Sequence, residues 1–371
     1  MVDYINLYDR ALVSMGDRER LLKVVEKAER GEEVVIGFIG GSITMGSGAS
    51  RHENCYAYRV WKWWVERFGE NCRYVNAGIG ATTSQFACAR VHSDLLCHKP
   101  DFVIVEFSVN DEDNDLFMES YESLVRTILD SEKKPAVVVV NNLFYDDGHN
   151  AQRIHNTVAS YYSLPAISIR DFIYPKIQDG EINASDLTGD MLHPSDSGHA
   201  LVATIICSCL EDMSMTPLYA VKDEERGSLT KLRFQNSMRL QNKNCTPKAV
   251  GFAADERIQN NITEVFSNGW EGRGVGSKLE FELGDCAVVS LQYRKTVKKP
   301  ACIAKAVLDG DEDNAVILDG NFGETWGDLI CLTDILISDE NKPHTLTVEI
   351  IDSKDNYELP FYLVSVITSK I

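Results

Sequence analysis

Four short stretches of this chain hold residues whose types and spacing could do chemistry together. They are Gly40-Gly41-Ser42-Ile43-Thr44, Asn76-Ala77-Gly78-Ile79-Gly80-Ala81-Thr82, Ser108-Val109-Asn110-Asp111 and Asp190-Met191-Leu192-His193-Pro194. A serine hydroxyl becomes a useful nucleophile only beside a base. His193 can take the Ser42 proton on attack and return it to a leaving alcohol. Asp190 can fix the imidazole tautomer and stabilise the imidazolium. The amide of Asn110, with backbone N–H groups at Ser42 and near Gly80, can donate to a developing oxyanion. Each stretch alone has a plainer reading. Gly-Ser turns are common, a helix N-terminus is often polar, and Asn is favoured after a strand. Together they describe acyl transfer by a Ser-His-Asp triad.

Such a constellation needs elements that bring distant stretches to one place. Up to about residue 212 the chain alternates between helical periodicity and short apolar runs. Helices are predicted over 11–30, 54–68, 84–98, 115–131, 149–162 and 196–211. Strands are predicted over 34–39, 73–75, 101–107, 136–140 and 166–169. Continuous apolar runs such as 34–39 are those of strands buried on both faces. This alternation predicts a parallel sheet with helices on both sides. Ser42 and Asn110 both follow predicted strands, on the carboxyl edge where such sheets bind ligands. Gly40 and Gly41 let the chain turn sharply and expose the hydroxyl. From residue 213 onward the segments are short, alternating and separated by Gly, Asn and Asp, with strands expected over 278–283, 287–293, 303–308 and 345–351. That pattern predicts a jelly-roll β-sandwich. The expected domains are therefore 1–213 and 214–371, with no low-complexity linker between them.

Composition narrows the partners. The chain has 371 residues, 44% hydrophobic and 25% charged, with a net charge of −19. Such acidity argues against nucleic acid and anionic membrane surfaces and favours neutral substrates. No run of about 20 apolar residues and no leader-like N-terminus is evident. Ten cysteines without a CxxC pair fit neither a zinc site nor a compact disulfide scaffold. A cytoplasmic location follows as an expectation. The oligomeric state, including a homodimer, stays open.

In this order the four blocks resemble the SGNH hydrolases, also called the GDSL esterase family, over roughly residues 33–212. The four letters correspond to Ser42, Gly80, Asn110 and His193. The resemblance implies a three-layer α/β/α sandwich with a parallel sheet. It also implies an acyl-enzyme mechanism on esters or thioesters without metal or other cofactor. Two positions depart from the family pattern: Gly41 stands where Asp is usual, and Ser108 where Gly is usual. Both departures resemble a subgroup rich in carbohydrate esterases. The trailing stretches 269–281, 307–310, 325–327 and 343–348 resemble β-sandwich modules found beside such hydrolase domains. The two-domain order is similar to the acetyl-mannan esterases of carbohydrate esterase family 17. That similarity implies a carbohydrate-binding-module-like domain that helps form the active site, and acetylated oligosaccharide as substrate. The alternatives are a lipid, thioester or small-molecule ester substrate, or a sugar-binding protein with an idle hydrolase domain.

Lesser features complete the reading. Trp326, among Asn321, Gly323, Thr325 and Gly327, is expected on a loop, where it could cover the Ser42 site and stack on a sugar; a sandwich-core tryptophan is the alternative. Trp270 reads as core. Tyr145, in the loop 145–149, is a candidate to line the substrate pocket. The acidic run 309–313 reads as a hairpin turn, with calcium as the other reading. Asn183 and Asn261 open glycosylation-type sequons, with nothing else to suggest a secreted glycoprotein. A histidine base must be neutral, so activity is expected to fall below about pH 6.5.

Overall fold

A computed structural model describes residues 10–216, 227–259 and 265–371. The chain forms two compact units, Met1–Leu232 and Arg233–Ile371. The sequon at Asn261 lies outside the described residues.

The first unit is built on a six-stranded sheet in the order β1-β6-β5-β4-β2-β3. Its strands are β1 (Leu12–Ser14), β2 (Val34–Gly40), β3 (Cys72–Gly78), β4 (Phe102–Glu106), β5 (Ala136–Asn141) and β6 (Ala166–Ser168). The last five run parallel. Every residue of β2, β4 and β5 is buried, as strands covered on both faces must be. The helices are α1 (Glu19–Glu29), α2 (Ser42–Met45), α3 (Tyr56–Phe68), α4 (Ser84–Asp94), α5 (Asp115–Leu129), α6 (Gln152–Tyr161), α7 (Ile169–Gln178) and α8 (Asp196–Met215).

Two differences from expectation concern the outer elements of this unit. Leu12–Ser14, predicted as part of the first helix, is an edge strand paired antiparallel to β6, which makes the sheet mixed. Helical periodicity begins only after Gly16, whose backbone is left-handed at φ +53°. The helix α7 is not predicted, and Pro175 lies inside it; proline weakens the helical signal of any local reading.

The divide between the units falls later than the change of sequence character at residue 213. Residues 229–230 are held to the first unit by the buried carboxylate of Glu122. It accepts hydrogen bonds from Leu229 N–H, from Thr230 N–H and hydroxyl, and from the Tyr162 hydroxyl.

The second unit is an antiparallel β-sandwich. Its strands are β7 (Met238–Leu240), β8 (Lys248–Val250), β9 (Phe252–Ala254), β10 (Trp270–Gly272), β11 (Lys278–Lys295), β12 (Ile303–Leu308), β13 (Val316–Asp319), β14 (Leu329–Asp352) and β15 (Phe361–Ser369). The predicted strands 278–283 and 287–293 are one strand, β11, bent by bulges between Leu283 and Ser290. One end of β11 pairs with β8 and the other with β15, so a single strand serves both parts of the sandwich. Trp270 is core, edge-on to Phe281 at 5.4 Å. Asp309 of the acidic run bonds His344 Nδ1 at 2.7 Å and Thr345 N–H at 2.8 Å. Asp311 accepts from Asn314 N–H at 3.3 Å. Among the described residues no group of three His, Cys, Asp or Glu side chains is arranged to hold a metal.

Candidate active site

Ser42 opens α2 directly after β2, at the carboxyl edge of the parallel strands. Its Oγ lies 2.9 Å from His193 Nε2, and His193 Nδ1 lies 2.6 Å from Asp190 Oδ2. Ser42 and the Asp190–His193 turn, far apart in the chain, thus form a continuous Ser-His-Asp relay. Ser42 is buried, while the His193 side chain is 25% and the Asp190 side chain 55% exposed.

The Asp190–His193 turn is held from several sides. Thr188 and Pro194 form an isolated antiparallel bridge. The Thr188 hydroxyl donates to His193 O at 2.8 Å, and Tyr145 N–H donates to Met191 O at 2.8 Å. Met191 has a left-handed backbone, φ +63°, which a methionine adopts only where its surroundings impose it. Burial by itself would raise the Asp190 pKa. Hydrogen bonds from the His193 ring, His193 N–H and Leu192 N–H outweigh it and hold the group at about 2.

The candidate donors for an oxyanion lie close to Ser42. Its N–H sits in the first turn of α2, where helical acceptors are lacking. Asn110 lies against Gly41: a Cβ on Gly41 would stand 2.0 Å from Asn110 Oδ1. The Gly-for-Asp departure at position 41 therefore has a physical reason, since the Asn110 amide occupies the space a side chain would need. Gly80 also adjoins the nucleophile, its hypothetical Cβ 3.8 Å from Ser42 Cβ. Gly78 is obligatory for another reason, because Met45 N would lie 2.3 Å from its Cβ. Asn76 secures this approach, donating from Nδ2 to Thr44 O at 2.8 Å and accepting from Gly78 N–H at 2.9 Å.

Behind these groups lies a buried polar layer that sequence reading did not single out. Asp111 accepts from Ser84 N–H at 2.9 Å, capping α4, and its other oxygen meets His155 Nε2 at 3.0 Å. His155 stacks on Tyr121, ring centroids 3.7 Å apart. The pair ties the Asn110 turn to α4 and α6. His199 joins three more pieces, accepting from Tyr56 N–H through Nδ1 and donating from Nε2 to Ser47 O. Glu106, at the end of β4, is fully buried; burial lifts its carboxyl to about 7 against hydrogen bonds from Ser108. Arg90 is 1% exposed on α4. The available signal was a charged residue inside an otherwise apolar helix face, 86–91.

The structure corrects one candidate. Tyr145 is 1% exposed and packs in the core of the first unit. A ring buried among core residues offers no face to a substrate; Asp146, Asp147 and His149 are the exposed members of that loop. In the second unit Trp326 is 60% exposed and meets Phe322 edge-on at 5.0 Å.

A serine hydroxyl against a histidine ring, a carboxylate on the other ring nitrogen and nearby donors, all at a parallel-sheet edge, form the arrangement that serine acyl transfer requires. Residues 38–201 match the GDSL-like Lipase/Acylhydrolase family. The whole chain is similar to a solved two-domain esterase active on acetylated mannans, at 44% identity and TM-score 0.94, over 98% of this chain and 99% of that one. The same holds for a structure of such an esterase co-crystallised with mannopentaose, at 44% identity and TM-score 0.93, covering 98% of each chain. An acetylxylan esterase of Geobacillus stearothermophilus is 24% identical over 151 residues, covering 35% of this chain and 68% of that protein. The chain belongs to the GDSL, or SGNH, hydrolase family and shares the two-domain form of these esterases.

Proposed function

We propose that this protein is a carbohydrate O-acetyl esterase acting on acetylated mannan oligosaccharides. The observation that carries the substrate class is the match over both units, β-sandwich included, to an esterase active on acetylated mannans. In the proposed reaction Ser42 Oγ attacks the acetyl carbonyl while His193 Nε2 takes its proton. The oxyanion is met by the Ser42 N–H, the Gly80 segment and the Asn110 amide. Collapse expels the sugar hydroxyl, which takes the proton from His193 and leaves acetyl-Ser42. Water then attacks, gives its proton to His193, and acetate departs as Ser42 regains a proton. The exposed Trp326 face suits a sugar ring, with Phe322 supporting it from the side.

The test is acetate release by wild type and Ser42→Ala on acetylated mannan, xylan and chitin oligosaccharides and an aryl acetate. Ser42-dependent release, fastest on mannan, is the expected result. Loss of about 10⁵–10⁶ in kcat is expected for the variant, as for other triad serines. Turnover of the aryl acetate alone would move the substrate to lipid or small-molecule esters. Sugar binding without turnover would leave an idle hydrolase.

A further inference from the structure

Arg90 is a fully buried cation at the place where the first two catalytic stretches leave the sheet. Its Nη1 donates to Ala77 O at 2.7 Å and its Nη2 to Gly40 O at 3.2 Å. Those carbonyls belong to neighbouring strands, β3 and β2, which are paired Ile39 to Ala77 and Gly40 to Gly78. Gly40 O also accepts from Ile79 N–H at 3.1 Å, just before Gly80. One planar guanidinium therefore spans the strand ends that carry Ser42 and Gly80. Its face lies over Phe86, 5.5 Å from the ring centre.

Stability alone is a poor reason for this residue. Burying a charge costs free energy, and apolar residues of similar size often serve the fold as well. Among the described residues its one carboxylate partner is Asp94, at 3.2 Å and one-third exposed, and Arg90 Nε is buried without a partner. A guanidinium stays protonated in such a place. We propose that Arg90 is a positioning residue for the oxyanion pocket. It locks the ends of β2 and β3 so that the Ser42 N–H and the Gly80 segment converge, and it supplies fixed positive charge next to them. The acetyl ester is neutral and the tetrahedral intermediate is an anion. The contribution therefore falls on kcat and leaves substrate binding nearly untouched. This inference rests on the reading of Ser42 as nucleophile.

The experiment compares Arg90→Lys and Arg90→Met with wild type on the aryl acetate, together with inhibition by benzeneboronic acid, which forms a tetrahedral anion on a serine. Arg18→Met is the control for losing a buried guanidinium; Arg18 is 4% exposed and bonds Met213 O and Thr216 O. The Arg90 variants are expected to lose about 10- to 100-fold in kcat, Lys less than Met, with KM changed less than about twofold. Boronate affinity should fall by a similar factor. Arg18→Met should lower Tm and leave kcat and boronate affinity within about twofold. Unchanged kcat, unchanged boronate affinity, or losses carried by KM would overturn the proposal. So would failure of both Arg90 variants to fold, which would assign the residue to the fold alone; if only Met fails, Lys decides. Ser42→Ala is assayed alongside. Turnover surviving in it would refute the nucleophile, whereas its loss with unaltered Arg90 variants would refute this inference only.

Discussion

Glycines in two regions of the molecule do different work. At Gly40, Gly41 and Gly78 a Cβ would stand 2.2, 2.0 and 2.3 Å from Thr44 Oγ1, Asn110 Oδ1 and Met45 N. No neighbour can retreat without moving a strand end, α2 or the Asn110 amide. On the loop that carries Trp326, a Cβ on Gly323 or Gly327 would meet nothing within 4 Å. The hydrolase site is over-determined by close packing and buried hydrogen bonds. The tryptophan loop leaves open space at its glycines and presents an exposed ring. Chemistry needs groups fixed to a fraction of an ångström, while the stacking platform proposed for Trp326 would tolerate adjustment.

The contrast can be broken most forcefully at the triad. Asp190→Asn should fold normally, since the side chain is half exposed, yet lose about 10³–10⁴ in kcat. Because Asp190 is held at about 2, it stays ionised from pH 4 upward. Protonation of Asp190 should therefore not shape the acid limb of the kcat profile. A limb that follows a carboxylate instead would count against the relay. Next in size is Gly41→Ala, which must displace Asn110. Its cost should approach that of losing an oxyanion donor, about 10²–10³ in kcat. Gly41→Ala combined with Asn110→Ala should cost little more than either alone, because both remove the same donor; additive losses would separate the two roles.

A third prediction concerns stability. The folded Glu106 carboxyl binds its proton more tightly than the unfolded one, at about 7 against an ordinary 4.5. Between those values the native state holds the extra proton, so stability falls as pH rises from 4.5 to 7 and stays reduced above. The difference amounts to about 3 kcal/mol. Glu106→Gln should flatten that slope in urea titrations at pH 5 and pH 8; an unchanged slope would show that another group carries it. The smallest effects belong to the open loop. Trp326→Ala should lower kcat/KM on acetylated oligosaccharide about tenfold and leave the aryl acetate unaffected, while Gly323→Ala should change neither by more than about twofold. Equal losses on both substrates with Trp326→Ala would remove the stacking role.

Much of this was legible along the chain because it depends on residue type and period. The buried runs at β2, β4 and β5 announce strands by composition. Ser42 and Asn110 follow strand ends, and Asp190 and His193 share one turn, so local order already placed them. What local order misjudged had its cause in distant contacts. Leu12–Ser14 is a strand because β6 offers an edge to pair with. Tyr145, on a loop beside the triad turn, is taken into the core of the first unit by packing that local order does not show. The segment before the second unit belongs to the first because Glu122 holds Leu229 and Thr230.

The sequence by itself determined which elements form and which groups carry the chemistry, since periodicity and side-chain type are local properties. Only the tertiary structure decided that Ser42 meets His193 at 2.9 Å, that Asn110 needs Gly41 bare, and that Arg90 spans two strand ends. Those facts depend on parallel register and on side chains far apart in the chain filling one close-packed space, where every atom's place is set by its neighbours.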